Sequence, residues 1–131
     1  MAASAAYANT PIAAAARLAT ANTARDGTGA LGTAMMNVYT AAGLGARIDN
    51  ISISALGTTT AGMVRLYVFN GTATQLIREI PVLATTPSGT VQAFAALVQG
   101  LALILPAGSS LRASTHNAEQ FDVVVTLGGA F

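Results

Sequence analysis

Short apolar runs broken by turn residues extend from residue 31 to the end, and they constrain the fold more than any other feature of this chain. The clearest is Arg47-Ile48-Asp49-Asn50-Ile51-Ser52-Ile53-Ser54-Ala55-Leu56, where Ile51, Ile53 and Ala55 alternate with Asn50, Ser52 and Ser54. A period of two places one set of side chains on each face of a strand. Met35, Met36, Val38 and Tyr39 form an earlier strand, closed by Ala42-Gly43-Leu44-Gly45. After Gly57-Thr58-Thr59-Thr60, the residues Val64, Leu66 and Val68 alternate with Arg65, Tyr67 and Phe69. Asn70-Gly71 then marks a hairpin, because both residues accept the positive φ of tight turns. The return strand covers 75–82, with Pro81 near its end where a strand tolerates it. Residues 91–98 and 101–105 read as two strands parted by Gln99-Gly100, and 111–115 and 121–127 as the last two. About eight short strands, spaced roughly 8–14 residues apart with no helix-length pattern between them, predict a sandwich or barrel. The expected fold is all-β: an antiparallel eight-stranded β-sandwich of jelly-roll type over residues 31–131.

Residues 1–30 have a different texture, with almost no large side chains beyond Tyr7, Ile12 and Leu18. Two readings stand side by side. One is a disordered tail; the other is an extended arm that orders on a neighbouring subunit. Ala13 to Leu18 also suit one short helix, although a helix of that length is marginal in water. On the arm reading, deleting residues 1–30 leaves a folded domain that binds its assembly poorly. Met1 to Ala8 lack the basic and long apolar regions of a secretory leader.

Charge narrows the function classes. Only 8% of the 131 residues are charged, against roughly 25% in a typical soluble domain. The six basic residues are all arginine, offset by five acids. Scattered in that way they provide no basic stripe for a phosphate backbone, so no nucleic-acid partner is expected. The apolar fraction of 53% includes 29 alanines, so large apolar side chains are scarcer than that figure implies. The remaining surface is Ala, Thr, Ser, Asn, Gln and Gly, which suits a surface that other protein covers, whereas a free monomer usually keeps a charged skin. The most apolar stretch, 91–106, is interrupted by Gln92, Gln99 and Gly100 and is shorter than the roughly 20 residues of a membrane-spanning helix. No membrane partner is expected. There is no cysteine, hence no disulfide or thiolate metal site.

Several constellations resemble chemistry and lack its context. Gly27, Gly29 and Gly32, with Asp49 beyond them, spell the dinucleotide-binding fingerprint. That fingerprint needs a buried strand before it and a helix after it; polar Thr20 to Asp26 precede it and strand-like residues follow, so a glycine-rich linker is the better reading. His116 lies near Glu119 and Asp122, and a metal site needs three or four converging ligands. Combined with Ser109, Ser110 or Ser114 the same residues suggest a hydrolase triad, but no nucleophile turn or oxyanion hole is marked. A glycosidase pair would come from Asp26, Asp49, Glu79, Glu119 and Asp122, of which Asp49 and Glu79 have basic neighbours and read as surface pairs. The sequons at Asn50 and Asn70 mean little without a secretory leader. Neither a catalytic residue nor a cofactor or metal is therefore expected. Tyr67 and Phe69 make their strand apolar on both faces, either as an inner strand or as an intersubunit contact.

The order of segments from Arg47 onward is similar to that of a known family. Arg47-Ile48-Asp49 is followed by Val64-Arg65-Leu66-Tyr67-Val68-Phe69-Asn70-Gly71, then Leu76-Ile77-Arg78-Glu79-Ile80 and Ala84-Thr85-Thr86-Pro87-Ser88. Leu103-Ile104-Leu105-Pro106-Ala107-Gly108 and a terminal Gly128-Gly129-x-aromatic complete it. This order resembles small β-sandwich proteins of tailed bacteriophages, of the head decoration or cement kind. The resemblance spans about two-thirds of the chain, on motifs such as Leu-Pro-x-Gly that many jelly rolls share. It implies a role without catalytic residues: binding the capsid surface and bridging neighbouring shell subunits.

The expectation is thus a structural virion protein, located on the capsid and made in the bacterial host cytoplasm. Its partners would be the major capsid protein and copies of itself. The contact residues expected are Tyr7, Ile12, Arg17, Leu18 and Arg25 on the arm, with Tyr67 and Phe69 on the sandwich. The alternative is a receptor- or glycan-binding module of a tail fibre or spike.

Overall fold

A computed structural model describes residues 10–131. Ten strands and no helix occur among them: β1 (Thr10–Pro11), β2 (Ala15–Leu18), β3 (Met36–Thr40), β4 (Ala46–Ala55), β5 (Gly62–Phe69), β6 (Thr74–Val82), β7 (Ala95–Val98), β8 (Leu103–Leu105), β9 (Ser110–Thr115) and β10 (Phe121–Ala130). Every ladder between them is antiparallel.

The strands form two sheets. In the first, β10 and β4 lie at the centre, with β1 and β2 on the far side of β10 and β7 and β8 on the far side of β4. The β7 ladder covers Ile51 to Ser54 and the β8 ladder Ala46 to Ile48, so these two strands lie end to end along one edge. Between them Gly100 (φ +66°) and Ala102 (φ +48°) break the extended backbone. The second sheet runs β3-β9-β5-β6.

The strand count differs from the eight expected, because Thr10–Pro11 and Ala15–Leu18 add two pieces to the edge of the first sheet. Ala13 to Leu18 are therefore not helical. Leu18 reaches the core from β2 and is 1% exposed, and pairing with β10 satisfies backbone groups that a lone short helix would leave half-bonded. Residues 10–18 thus run along a sheet of their own chain.

The core fills the space between the sheets. Ile48, Ile51 and Ile53 of β4 and Phe121, Val123 and Val125 of β10 face Val64 and Leu66 of β5 and Leu111 and Ala113 of β9. Ile48 and Ile51 are three residues apart, and on a regular strand they would face opposite ways. Two register shifts reconcile them: Val125 pairs with Ile51, Leu127 with Asn50, and Gly128 with Ile48. Thr126 and Asp49 are the extra residues, and such bulges re-aim the side chains beside them. The Asn70-Gly71 turn joins β5 to β6 as expected from the sequence. Gly71 has φ +96°, and Asn70 Oδ1 accepts from the N–H groups of Thr72 and Ala73 at 3.0 and 2.9 Å.

Candidate interaction face

The two outer faces of the sandwich differ in what covers them. Strand β5 directs Val64 and Leu66 inward, so Arg65, Tyr67 and Phe69 point outward from the second sheet. The chain covers much of this face itself. Ala21 bridges to Thr115, and the Asn22 N–H donates to Thr115 O at 2.8 Å. The following residues, to Ala30, act as a strap across the sheet. Asn22 Nδ2 donates to Thr28 O and Ala34 O at 2.9 and 3.0 Å, which closes the strap on itself. Tyr67 is fully buried and donates its hydroxyl to Ala24 O at 3.0 Å. Gly27 lies against Thr74 with φ +85°.

An ionic cluster holds the strap down. Arg65 is 2% exposed; it donates from Nε to Glu79 Oε2 at 2.9 Å and from Nη1 to Asn22 O at 3.3 Å. Arg25, on the strap, donates to the same carboxylate oxygen at 2.8 Å. Both Nη atoms of Arg65 also face His116 Nδ1, at 3.4 and 3.3 Å. A guanidinium has only donors, so the ring nitrogen is the acceptor in this contact. The Arg65 hydrogen bond, and then Arg25, hold the Glu79 carboxyl below its usual range, whereas burial pushes the Tyr67 phenol up.

None of the described residues covers the outer face of the first sheet. Cross-strand register places Ala15, Val124, Ser52 and Leu97 in one row, and Arg17, Asp122, Ser54 and Ala95 in the next. Leu97, Leu127 and Ile104 are 54%, 55% and 53% exposed. Asn50, Ser52, Ala95, Leu97 and Leu127 line a shallow, open groove of about 720 Å³. A second groove of about 380 Å³ adjoins Ala15, Arg17, Asp122 and Val124. The strands of this sheet carry only four charged residues, and all are paired. Arg17 forks onto Asp122 at 2.7 and 3.1 Å, and Arg47 pairs with Asp49 at 2.9 Å. An antiparallel sheet facing water normally alternates apolar-in with polar-out; on this one the exposed Leu97, Ile104 and Leu127 and the half-buried Val124 stand among the polar side chains of β4 and the two ion pairs.

The expected contact residues have roles within the chain. Tyr7 lies outside the described residues, as do Met1 to Ala8. Ile12 packs half-buried against the core, and Leu18 is inside it. Arg17 and Arg25 are exposed but paired with Asp122 and Glu79. Tyr67 lies under the strap, and the Arg112 guanidinium stands 3.9 Å over the Phe69 ring. Leu97, Ile104, Val124 and Leu127 were missed by sequence reasoning. Their signal was available in 95–98 and 121–127, which are apolar at positions where a half-buried strand is polar.

The acids weighed for chemistry are also engaged. Asp26 accepts from Thr28, Asp49 from Arg47, Glu79 from both arginines, Glu119 from Thr60 and Asp122 from Arg17. These are all five acids of the chain. Ser109, Ser110 and Ser114 are buried, with Ser110 Oγ 3.0 Å from Thr40 Oγ1. Among the described residues no three His, Asp or Glu side chains gather to hold a metal. No protein family, curated protein or solved structure matches the chain.

Proposed function

We propose that this chain is a structural virion protein of the head-decoration kind, which stabilises a capsid by being buried among shell subunits and copies of itself. One observation carries the reading: among the described residues nothing covers the outer face of the first sheet, its four charges cancel in pairs, and Leu97, Ile104 and Leu127 are more than half exposed on it. Exposed apolar side chains gathered on one face mark a surface that a partner covers. The segment order from Arg47 to Phe131, similar to that of phage decoration proteins, supplies the kind of assembly. The strand order agrees with it. Taking β1 with β2 and β7 with β8 as single broken strands leaves eight positions, arranged 1-8-3-6 and 2-7-4-5. We read this as a jelly roll, an architecture shared by capsid proteins, lectins and cupins. Fold alone decides no function, so the bare face bears the weight. A glycan-binding module fits less well, because Tyr67 is buried and Phe69 is capped by Arg112, and stacking platforms need open rings.

The test uses purified virions of the phage encoding the chain. Mass spectrometry should find the protein in many copies per particle. Hydroxyl-radical footprinting should label Leu97, Ile104 and Leu127 strongly in the free protein at about 1 µM, where it is monomeric, and weakly in the particle. Absence from the particle, or equal labelling in both states, refutes the reading.

A further inference from the structure

We infer that the bare face of the first sheet is a self-association surface, on which a second copy of this chain packs sheet against sheet about a two-fold axis. The inference rests on the reading of that face as buried by other protein, and it names the occupant.

Shape comes first. An isologous contact requires one patch to be complementary to itself. This face carries both halves of such a fit. Leu97 and Leu127 are more than half exposed on it, and with Asn50, Ser52 and Ala95 they line a shallow open groove. Turned over on a two-fold axis, the leucines of one copy meet the groove of the other. The small side chains Ala15, Ser52, Ser54 and Ala95 lower the rest of the surface, so a second sheet can approach to the roughly 10 Å at which sheets interdigitate.

Charge comes second. A patch bearing net charge repels its own copy across a two-fold axis. Here the two cations and two anions of the face cancel in pairs, Arg17 with Asp122 and Arg47 with Asp49. No unpaired cation is left on these strands for a phosphate backbone, which disfavours nucleic acid as the occupant. An added peptide strand would instead seek an unbroken edge. The β7–β8 edge is interrupted at Gly100 and Ala102, and short, broken edges resist such pairing.

Area comes third. Four strand positions about 4.8 Å apart, and about ten residues rising about 3.3 Å each, give a face of about 600 Å². Two copies bury about 1,200 Å², the lower limit for a specific interface. A contact at that lower limit is weak and transient in solution, and it is strengthened where many copies sit on one lattice.

Sedimentation equilibrium of the full chain from about 1 µM to about 1 mM tests this. The wild type should pass from monomer to dimer across that range. Leu97→Arg with Leu127→Arg should weaken the dimer at least about 100-fold, since each charge is introduced twice at the centre of a two-fold contact. Both positions are more than half exposed, so circular dichroism and melting temperature should remain those of the wild type. Leu44→Arg is the control: Leu44 is 83% exposed but lies in the β3–β4 turn, and its substitution should leave dimerisation unchanged. A wild type that stays monomeric throughout overturns the inference. So does a folded double variant that dimerises as tightly as the wild type, or a Leu44→Arg effect as large as that on the face. If the free protein is monomeric while the same leucines are protected in virions, the self-association inference falls and the structural reading stands, with shell protein as the occupant. If the protein dimerises but is absent from virions, the converse holds.

Discussion

Arg65 is the residue whose environment departs furthest from its type. A guanidinium that is 2% exposed survives only with its donors satisfied, and Glu79, Asn22 O and His116 Nδ1 satisfy them. Arg65→Ala should cost about 3 kcal/mol in urea unfolding, because it removes a buried ion-pair member and leaves the Asn22 carbonyl unbonded. Lys cannot reproduce the fork, so Arg65→Lys should recover little of that loss. The carboxylates predict the acid limb of stability. Glu79 and Asp122 are held below their usual range by arginine hydrogen bonds. Their contribution is fully present above the unfolded carboxylate range and lost as pH falls through the depressed folded values. Tyr67 is shifted the other way by burial, so its contribution is present below the unfolded phenol range and lost as pH rises beyond it. Melting temperature should therefore plateau between about pH 5 and 9 and fall on both sides. Tyr67→Phe should remove part of the loss on the alkaline side.

At the scale of elements, β2 and the strap show how a segment of small residues becomes part of a fold. Ala15 to Leu18 have weak strand propensity, and what holds them is register with Val124 to Phe121 plus one buried leucine. Leu18→Ala should destabilise the protein by about 3 kcal/mol. Removing residues through Leu18 should abolish the cooperative melt seen by near-ultraviolet circular dichroism, since β10 loses its neighbour and the core loses a wall. This outcome is opposite to that expected of a dispensable arm. Turns impose a comparable constraint. Gly45 has φ +93°, and a Cβ there would stand 2.6 Å from Leu105 O, in the β8 strand that pairs beside it. Gly45→Ala should cost about 2 kcal/mol, more than a solvent-exposed glycine substitution of ordinary φ.

For the whole molecule, stability should be graded from the centre of each sheet outward. Strands β4 and β10, and β5 and β9, have neighbours on both sides, whereas β7 and β8 are short edge pieces separated by a positive-φ break. Native-state hydrogen exchange should be slowest at Ile51, Ile53, Leu66 and Val123 and fastest across 95–105. Equal protection of 95–105 and β4 would show that the broken edge is held by more than its ladder.

The alternation of Ile51 and Ile53 with serine, the glycine-marked turns and the missing helical period determined an antiparallel all-β chain, because strand pleat and turn φ are local properties. The eight strand positions from residue 36 onward were likewise legible, with small shifts in their ends. The role of 10–30 was not. Alanine, threonine and asparagine carry little pattern, and only the edge of β10 and the polar cluster around Arg65 give them a place. Sequence showed that Tyr67 and Phe69 make β5 apolar on both faces. Only tertiary structure decided that the strap covers the outer one, and that Leu97, Val124 and Leu127, from distant segments, meet on a face that none of the described residues covers. Which face is left bare depends on how sheets stack and where the chain crosses them, and those are contacts between residues far apart in sequence.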